Sequence, residues 1–276
     1  MSGLGAYCQS VAWFEIKCGE QQINVALSSR FVIHRPFHLV AGECDLQILL
    51  SGEGVGNQMD QTSTACPLCG SRTGTSRYQK RMNRHYHWCG HCDLVSVPAA
   101  DHISPEAERD RYLSHNNSLD QTGYVEMLAE VLDTAENAAG SVPFDLLDYG
   151  CGYAPVLGQI AVQRGHRIIN YDPVFFPDPA ALETSYTVVT CCEVVEHANN
   201  PRNFWITLSR VVKPGGVLVV RSSLHPVDWN RFLRFWYTYD ETHVSFYSEL
   251  CISYVCRTFG FEPVTVHDPL WVLRKT

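Results

Sequence analysis

The chain has 276 residues, 45% of them hydrophobic and 18% charged, enough for one sizeable core with a small module beside it. Its net charge of −8 argues against a protein that simply coats nucleic acid, and no apolar run approaches the ~20 residues of a membrane-spanning helix. Twelve cysteines, with no basic-then-apolar leader at the N-terminus, point to a cytoplasmic chain that binds metal or buries thiols, not to a disulfide framework.

Residues 1–60 read as a poorly defined N-terminal extension. Short candidate strands fall at 11–16, 23–27, 31–32 and 46–50, and the glycine-rich run 52–57 suits a flexible linker. Cys8, Cys18 and Cys44 lack metal-ligand spacing. The segment is expected to be dispensable or, failing that, a small β accessory unit.

Residues 61–100 carry two C-x2-C knuckles, Cys66/Cys69 and Cys89/Cys92, with 19 residues between them. Each knuckle places two thiolates on one tight turn, and two such turns close a tetrahedral shell around Zn²⁺. Four sulfurs leave no open position, so the site is structural, and the segment is expected to be a zinc ribbon stabilised by its metal. His85, His87 and His91 are alternative ligands, more readily read as surface groups. The stretch holds Arg72, Arg77, Lys80, Arg81 and Arg84 against Asp93 alone. Interleaved with Tyr78, Tyr86 and Trp88, these cations could stack bases and neutralise phosphates. The competing reading is a solvated face whose aromatics pack inward.

Residues 101–140 read as a helical bridge. Ser104 suits an N-cap, Pro105 the first helical position, and Glu106 and Glu108 the first turn. The run 114–118 breaks the helix, after which Tyr124, Met127, Leu128, Val131 and Leu132 recur at helical spacing.

From residue 141 strands and helices alternate. Strands are expected at 144–148, 167–171, 186–191 and 217–222, and helices at 155–164 and 201–211. A helix from Glu249 to Phe259, capped by Ser248 and stopped by Gly260, then precedes an antiparallel hairpin, 261–266 with 269–274. Such alternation gives an α/β fold with a mostly parallel sheet and a ligand crevice at the carboxyl ends of its strands. Asp148, Asp172 and Glu193 all sit at strand ends and should converge there. Gly150 and Gly152 form the turn after the first of these strands, where glycine lets a ligand approach the main chain closely. Three acids suit a cationic sulfonium and ribose hydroxyls better than a pyrophosphate. Cys191, Cys192, Cys251 and Cys256 fall in apolar patterns and read as core thiols.

The segments LLDYGCGYAPVL, the strand-end Asp172, TCCEVVEHANNP and VVKPGGVLVV stand in an order that resembles the class I S-adenosylmethionine-dependent methyltransferases. The resemblance runs from about residue 142 to the C-terminus. It implies a Rossmann-like sheet with an antiparallel last strand, and S-adenosyl-L-methionine as cofactor. It further implies that Asp148, Gly150, Cys151 and Gly152 line the methionine part of that cofactor, that Asp172 holds its ribose hydroxyls, and that Glu193 lies by the reaction centre. A cover segment before the first strand makes Tyr112, His115 and Asn116 further candidates. Two departures stand out. Ala154 occupies the place of a third glycine, and only 13 residues, 173–185, separate Asp172 from the next strand. The third βα unit is therefore trimmed or missing, and no residue can be assigned to the adenine.

The aromatic run 228–239 reads as a helical lid. The run 240–248, D-x-T-H-x-x-F-Y-S, resembles a box that borders the active site in a subgroup of these enzymes. A general base is required only if the acceptor arrives protonated; His243, His197 and His225 are the candidates, His243 first. The implied function is methyl transfer to a small molecule of sugar, lipid or natural-product type. The alternatives are RNA base methylation guided by the basic ribbon, and a non-catalytic scaffold that kept the fold.

Overall fold

The computed structural model describes residues 65–115 and 117–276 in full, together with the backbone of two strands nearer the N-terminus. The chain divides into two compact units, Met1–Gln58 and Met59–Thr276. In the first, β1 (Ala12–Cys18) and β2 (Gln21–Leu27) pair antiparallel, Cys18 opposite Gln21. They overlap two of the expected strands. The candidates at 31–32 and 46–50, the linker 52–57 and the roles of Cys8 and Cys44 lie outside the described residues.

The second unit begins with β3 (Gly74–Gln79), β4 (Arg84–Cys89) and β5 (Val95–Ser96), followed by α1 (Pro105–Leu113) and α2 (Thr122–Ala139). Next come β6 (Asp145–Tyr149), α3 (Val156–Gln163), β7 (Arg167–Tyr171), β8 (Tyr186–Cys192), α4 (Pro201–Val211) and β9 (Val212–Arg221). The chain closes with α5 (Trp229–Phe232), β10 (Ser245–Phe246), α6 (Glu249–Phe259), β11 (Phe261–Val266) and β12 (Leu270–Lys275).

Six strands form the main sheet in the order β11-β12-β9-β8-β6-β7. β9, β8, β6 and β7 run parallel, and the last strand, β12, runs antiparallel to both of its neighbours, β9 and β11. This is the α/β, Rossmann-like fold that the sequence implies. Its central strands read as unbroken apolar runs because both faces are covered. On one face α2 and α3 pack Val131, Leu132 and Leu157 against Leu146, Val188 and Val219. On the other, α4 and α6 pack Trp205, Leu208 and Val255 against Leu147, Val189 and Leu218.

The third βα unit is absent. Residues 173–185 form only a short bridge, Asp172 with Phe176, and a 3-10 turn, Pro179–Leu182. β7 is thus an edge strand, and Ile169 is 44% exposed on it. A second difference concerns α4, which runs directly into β9, so that Lys213 to Gly216 belong to the strand instead of a loop before it. A third is the expected helical lid at 228–239. Only Trp229–Phe232 and a 3-10 turn, Trp236–Tyr239, are helical. The physical reason is burial: Phe232 and Tyr237 pack against Tyr86, Val95 and Phe246, a cluster that a single straight helix could not reach from both residues. Among the described residues no helix is long and apolar enough to cross a membrane.

Trp205 is fully buried under the sheet, and its Nε1 donates to the Tyr247 hydroxyl at 3.2 Å. Trp205→Ala should cost about 3–5 kcal/mol by leaving a cavity, read as a lower urea midpoint at unchanged slope.

Candidate functional site

A cavity of about 680 Å³ opens at the carboxyl ends of β6, β7 and β8. Gly150, Cys151 and Gly152 line one side. Gly150 (φ +82°) and Gly152 (φ +66°) both adopt the left-handed conformation that glycine tolerates. A Cβ on Gly150 would sit 2.4 Å from Cγ2 of Val194, so the turn is also pressed against the segment after β8. Asp172 fixes the shape of this turn. Its Oδ2 accepts from the Gly152 amide at 3.1 Å, and its Oδ1 accepts from the amides of Val174 (2.8 Å) and Phe175 (3.0 Å). Three of its roughly four acceptor positions are taken. Ala154 packs against the α2–α3 cluster, where its methyl group fits.

The three strand-end acids do not all reach the crevice. Asp172 and Glu193 line it, whereas Asp148 lies buried beneath the glycine turn and does not. Thr190 Oγ1 donates to Asp148 Oδ1 at 3.0 Å. Burial, and secondarily the charge of Asp172, push the Asp148 carboxyl up to about 7 despite that bond. Glu193 stands at a left-handed φ of 54° and is ion-paired to Arg221. Each of the three strand-end acids is thus engaged within the protein: Asp172 by backbone amides, Glu193 by a guanidinium and Asp148 by the Thr190 hydroxyl.

The opposite wall holds a network that sequence reasoning missed. The Tyr237 hydroxyl donates to Glu193 Oε2 at 2.8 Å and also contacts the Glu196 carboxyl. One phenol has one proton for two carboxylates. Glu196 is fully buried, and burial, together with the charge of Glu193, raises its proton affinity well above the usual range. Glu196 therefore supplies the second proton. The clue in the sequence was the i, i+3 spacing of Glu193 and Glu196; nothing in it pointed to Tyr237 or Arg221.

Two of the three candidate histidines line the cavity. His243 Nδ1 donates to the Tyr237 carbonyl at 2.7 Å, and His197 Nδ1 to the Thr242 carbonyl at 3.1 Å. Each Nε2 is then the unprotonated nitrogen. The rings meet edge to face at 4.8 Å. Burial lowers the proton affinity of both, that of His197 to about 3, so both are neutral at neutral pH. His225 lies elsewhere: it is buried, with Nδ1 against the Pro226 carbonyl and Nε2 against that of Asp93, both at 2.9 Å, and it does not line the cavity.

The helix α1 covers the mouth. Its N-cap forms as expected, with the Ala107 amide donating to Ser104 Oγ. Tyr112 and His115 line the cavity, and Asn116 lies outside the described residues. Tyr112 donates to Glu108 Oε1 at 2.6 Å and meets His197 edge-on. No α1 residue is buried. The helix is held by the Arg111–Asp240 pair at 2.8 Å, and the chain just beyond it by the Tyr153 hydroxyl, which donates to the His115 carbonyl.

The four knuckle cysteines cluster with Sγ–Sγ separations of 3.6 Å (Cys66–Cys92) and 3.5 Å (Cys69–Cys89). These are too long for a disulfide (~2.05 Å) and close to the edge, about 3.8 Å, of a tetrahedron with ~2.3 Å metal–sulfur bonds. The amides of Ser71 and His91 each point at a cysteine sulfur at 3.4 Å. His85 bonds Asp101, His91 meets Tyr254 edge to face, and His87 is buried against Ser76, not at the surface as expected. Three of the ribbon's five cations contact the rest of the domain, whereas Arg72 and Lys80 are exposed. Arg84 is buried, Arg81 lies 3.8 Å over the Tyr239 ring, and Arg77 lies 5.7 Å from that of Trp229. Of the core thiols, Cys191, Cys251 and Cys256 are buried, whereas Cys192 borders the cavity.

Comparison with known proteins adds the following. A family model described as a methyltransferase domain matches residues 113–266. A stretch of 99 residues is 51% identical to the mitochondrial ubiquinone biosynthesis O-methyltransferase of Schizosaccharomyces pombe (strain 972 / ATCC 24843), over 27% of this chain and 36% of that protein. The match thus spans little more than a third of the relative's length. Among solved structures, the Burkholderia thailandensis 1,6-didemethyltoxoflavin-N1-methyltransferase superposes with a TM-score of 0.45 at 14% identity, over 69% of this chain and 99% of its own. The human N-acetylserotonin methyltransferase does so with 0.44 at 16%, over 62% and 56%.

Asp148 yields a pH test. Its folded-state value lies above the ordinary ~3.9, so the folded protein binds this proton more tightly than the unfolded chain does. That contribution is fully present below about pH 4 and is lost as the pH rises through about 7. Asp148→Asn removes the slope. Melting temperatures between about pH 4 and 8 should therefore converge at acid pH and diverge in favour of the variant above neutrality; parallel curves would show that the residue carries no such shift.

Proposed function

The chain belongs to the methyltransferase-domain family, and from that premise we propose that it transfers a methyl group from S-adenosyl-L-methionine to a hydroxyl of a small molecule. The observation that carries this reading is the two-sided cavity: a left-handed glycine turn tied to a strand-end carboxylate on one side, two neutral imidazoles and a tyrosine–glutamate network on the other.

The residues suit the cofactor. Its methionine part would lie along Gly150, Cys151 and Gly152, where a Cβ on Gly152 would meet nothing within 4 Å. Asp172 keeps an acceptor position for ribose hydroxyls. Tyr112 and His115 would close over it, and Glu193 would face the reaction centre. When bound, S-adenosyl-L-methionine supplies a methyl group already activated by positive sulfur, so the protein has mainly to align the acceptor and exclude water. Trp236, Tyr237, Tyr239 and Phe175 provide an aromatic wall for that purpose. His243 Nε2 would accept the acceptor's proton as the acceptor's oxygen takes the methyl group; His197 stands beside it. The hydroxyl as accepting group comes from the name of the Schizosaccharomyces pombe relative. The ribbon's role is structural: Cys66, Cys69, Cys89 and Cys92 would hold one Zn²⁺, whose chemistry is to fix the two knuckles.

Calorimetry with S-adenosyl-L-methionine on zinc-loaded protein should give one site per chain, weakened at least about tenfold in Asp172→Ala, a loss of about 1.4 kcal/mol. Absence of heat in the wild type would sink the proposal. With labelled methyl donor and cell extract, label should enter small metabolites, not RNA. His243→Ala should lower that transfer about 10²–10⁴-fold while cofactor affinity stays nearly unchanged. Mass-spectrometric metal analysis should find one zinc per chain, lost in Cys69→Ser.

A further inference from the structure

The ribbon does more than stand beside the cavity. β4 carries Cys89, one of the four clustered thiols, at its last position and Arg84 at its first. Arg84 is only 3% exposed. Its Nε donates to the Tyr86 hydroxyl at 2.9 Å, and Nη1 donates to the Glu241 carbonyl at 2.9 Å. Nη2 faces the carbonyls of His243 (2.8 Å), Asp240 (3.2 Å) and Thr238 (3.3 Å). No carboxylate is among these partners. The charge is instead met by four carbonyl dipoles from one short run, 238–243, curled around a planar fork that only guanidinium supplies.

That run is part of the cavity. Tyr237 and His243 flank it, and both side chains line the site. Other ribbon groups hold the same segment. Gln79 Nε2 donates to the Leu233 carbonyl at 2.5 Å, β5 pairs with β10, and the Val97 amide donates to the Val244 carbonyl at 2.8 Å. Without the guanidinium the Glu241 and His243 carbonyls would lose their donor, those of Thr238 and Asp240 would keep the Tyr86 hydroxyl (3.3 Å) and the His243 amide (3.2 Å), and the run would loosen toward water.

We propose that Arg84 is a positioning residue, through which the four-cysteine ribbon sets the acceptor-side wall of the cavity. Among the described residues no hydrogen bond joins Arg84 to the glycine turn or Asp172; its cage touches the cofactor cover through the surface pair Arg111–Asp240, a tie of the kind that contributes little. The inference rests on the reading of this cavity as the site of methyl transfer. It predicts that loss of Arg84 spares the cofactor and damages use of the acceptor.

The test uses full-length, zinc-loaded Arg84→Ala and Arg84→Lys. Four quantities are followed with and without millimolar methylguanidinium: zinc content, calorimetric affinity for S-adenosyl-L-methionine, amide hydrogen exchange over 234–243, and transfer of labelled methyl into the small-molecule fraction of a cell extract. Zinc content and cofactor affinity should stay within about threefold of wild type, while transfer falls about 50-fold or more, the size expected for a misplaced reacting group. Exchange over 234–243 should rise in both variants. Methylguanidinium should reverse both effects in the alanine variant, which has room for it, and not in the lysine variant, whose ammonium blocks the space. Wild-type exchange and transfer in a folded alanine variant would overturn the proposal, as would cofactor affinity falling in step with transfer. Should the alanine variant not fold, the lysine variant alone decides by the same split. If the wild type itself transfers no label, the methyl-transfer reading fails, and exchange with its rescue still judges the placement of the loop.

Discussion

One carboxylate organises the half of the cavity beside the glycine turn. Asp172 ends β7 and accepts amide protons from Gly152 on one side and from Val174 and Phe175 on the other. A carboxylate held by several backbone donors is a strong and directional tie. Here it joins the turn after β6 to the chain leaving β7, and the glycines let the turn reach it. The cavity exists because these two strand ends are drawn together while β8 continues past them to Glu193.

The opposite half of the cavity rests on a different principle. Its polar groups are buried or half-buried and most are partnered within the protein, Glu196 Oε2 and Arg221 Nε excepted. Glu193 is matched by Arg221, Tyr237 bridges two carboxyls, both histidines spend their Nδ1 protons on backbone carbonyls, and Arg84 gathers four more carbonyls from the same run. The small antiparallel sheet is therefore continuous with the active domain. Its hydrophobic cluster contains Tyr86 and Val95 from the ribbon with Phe232, Tyr237 and Phe246 from the later chain. The ribbon shares a hydrophobic cluster with the rest of Met59–Thr276 and belongs to the same compact unit.

Much of this was legible in the residues. The alternation of apolar runs and amphipathic stretches, the glycine turn, Asp172 and the short 173–185 gap located the sheet, its open edge and one side of the cavity. Cysteine spacing located the knuckles. Those signals are local, each contained in a few neighbouring positions. The features that were not legible depend on distant pairs. Arg84 looked like one cation in a basic stretch, and Asp148 looked like a third cavity acid, because exposure is decided by what the other end of the chain brings. The aromatic run 228–239 suggested a helix by its composition, yet tertiary burial of Phe232 and Tyr237 overrode that tendency. His225 looked equivalent to His197 and His243 until its two carbonyl partners placed it away from the cavity.

The distance along the chain between Arg84 and its carbonyl cage has a consequence for biosynthesis. The partners are separated by 154 to 159 residues, so at translation rates of ~5–20 residues per second the cage follows the ribbon out of the ribosome on the order of ten seconds later. During that interval the nascent ribbon has no hydrophobic counterpart for Tyr86 and Val95. The four thiols, by contrast, are all available once Cys92 has emerged. A zinc ion captured then would hold the strands in register through the wait, so that the last-made part of the chain docks onto a template and not onto a loose coil.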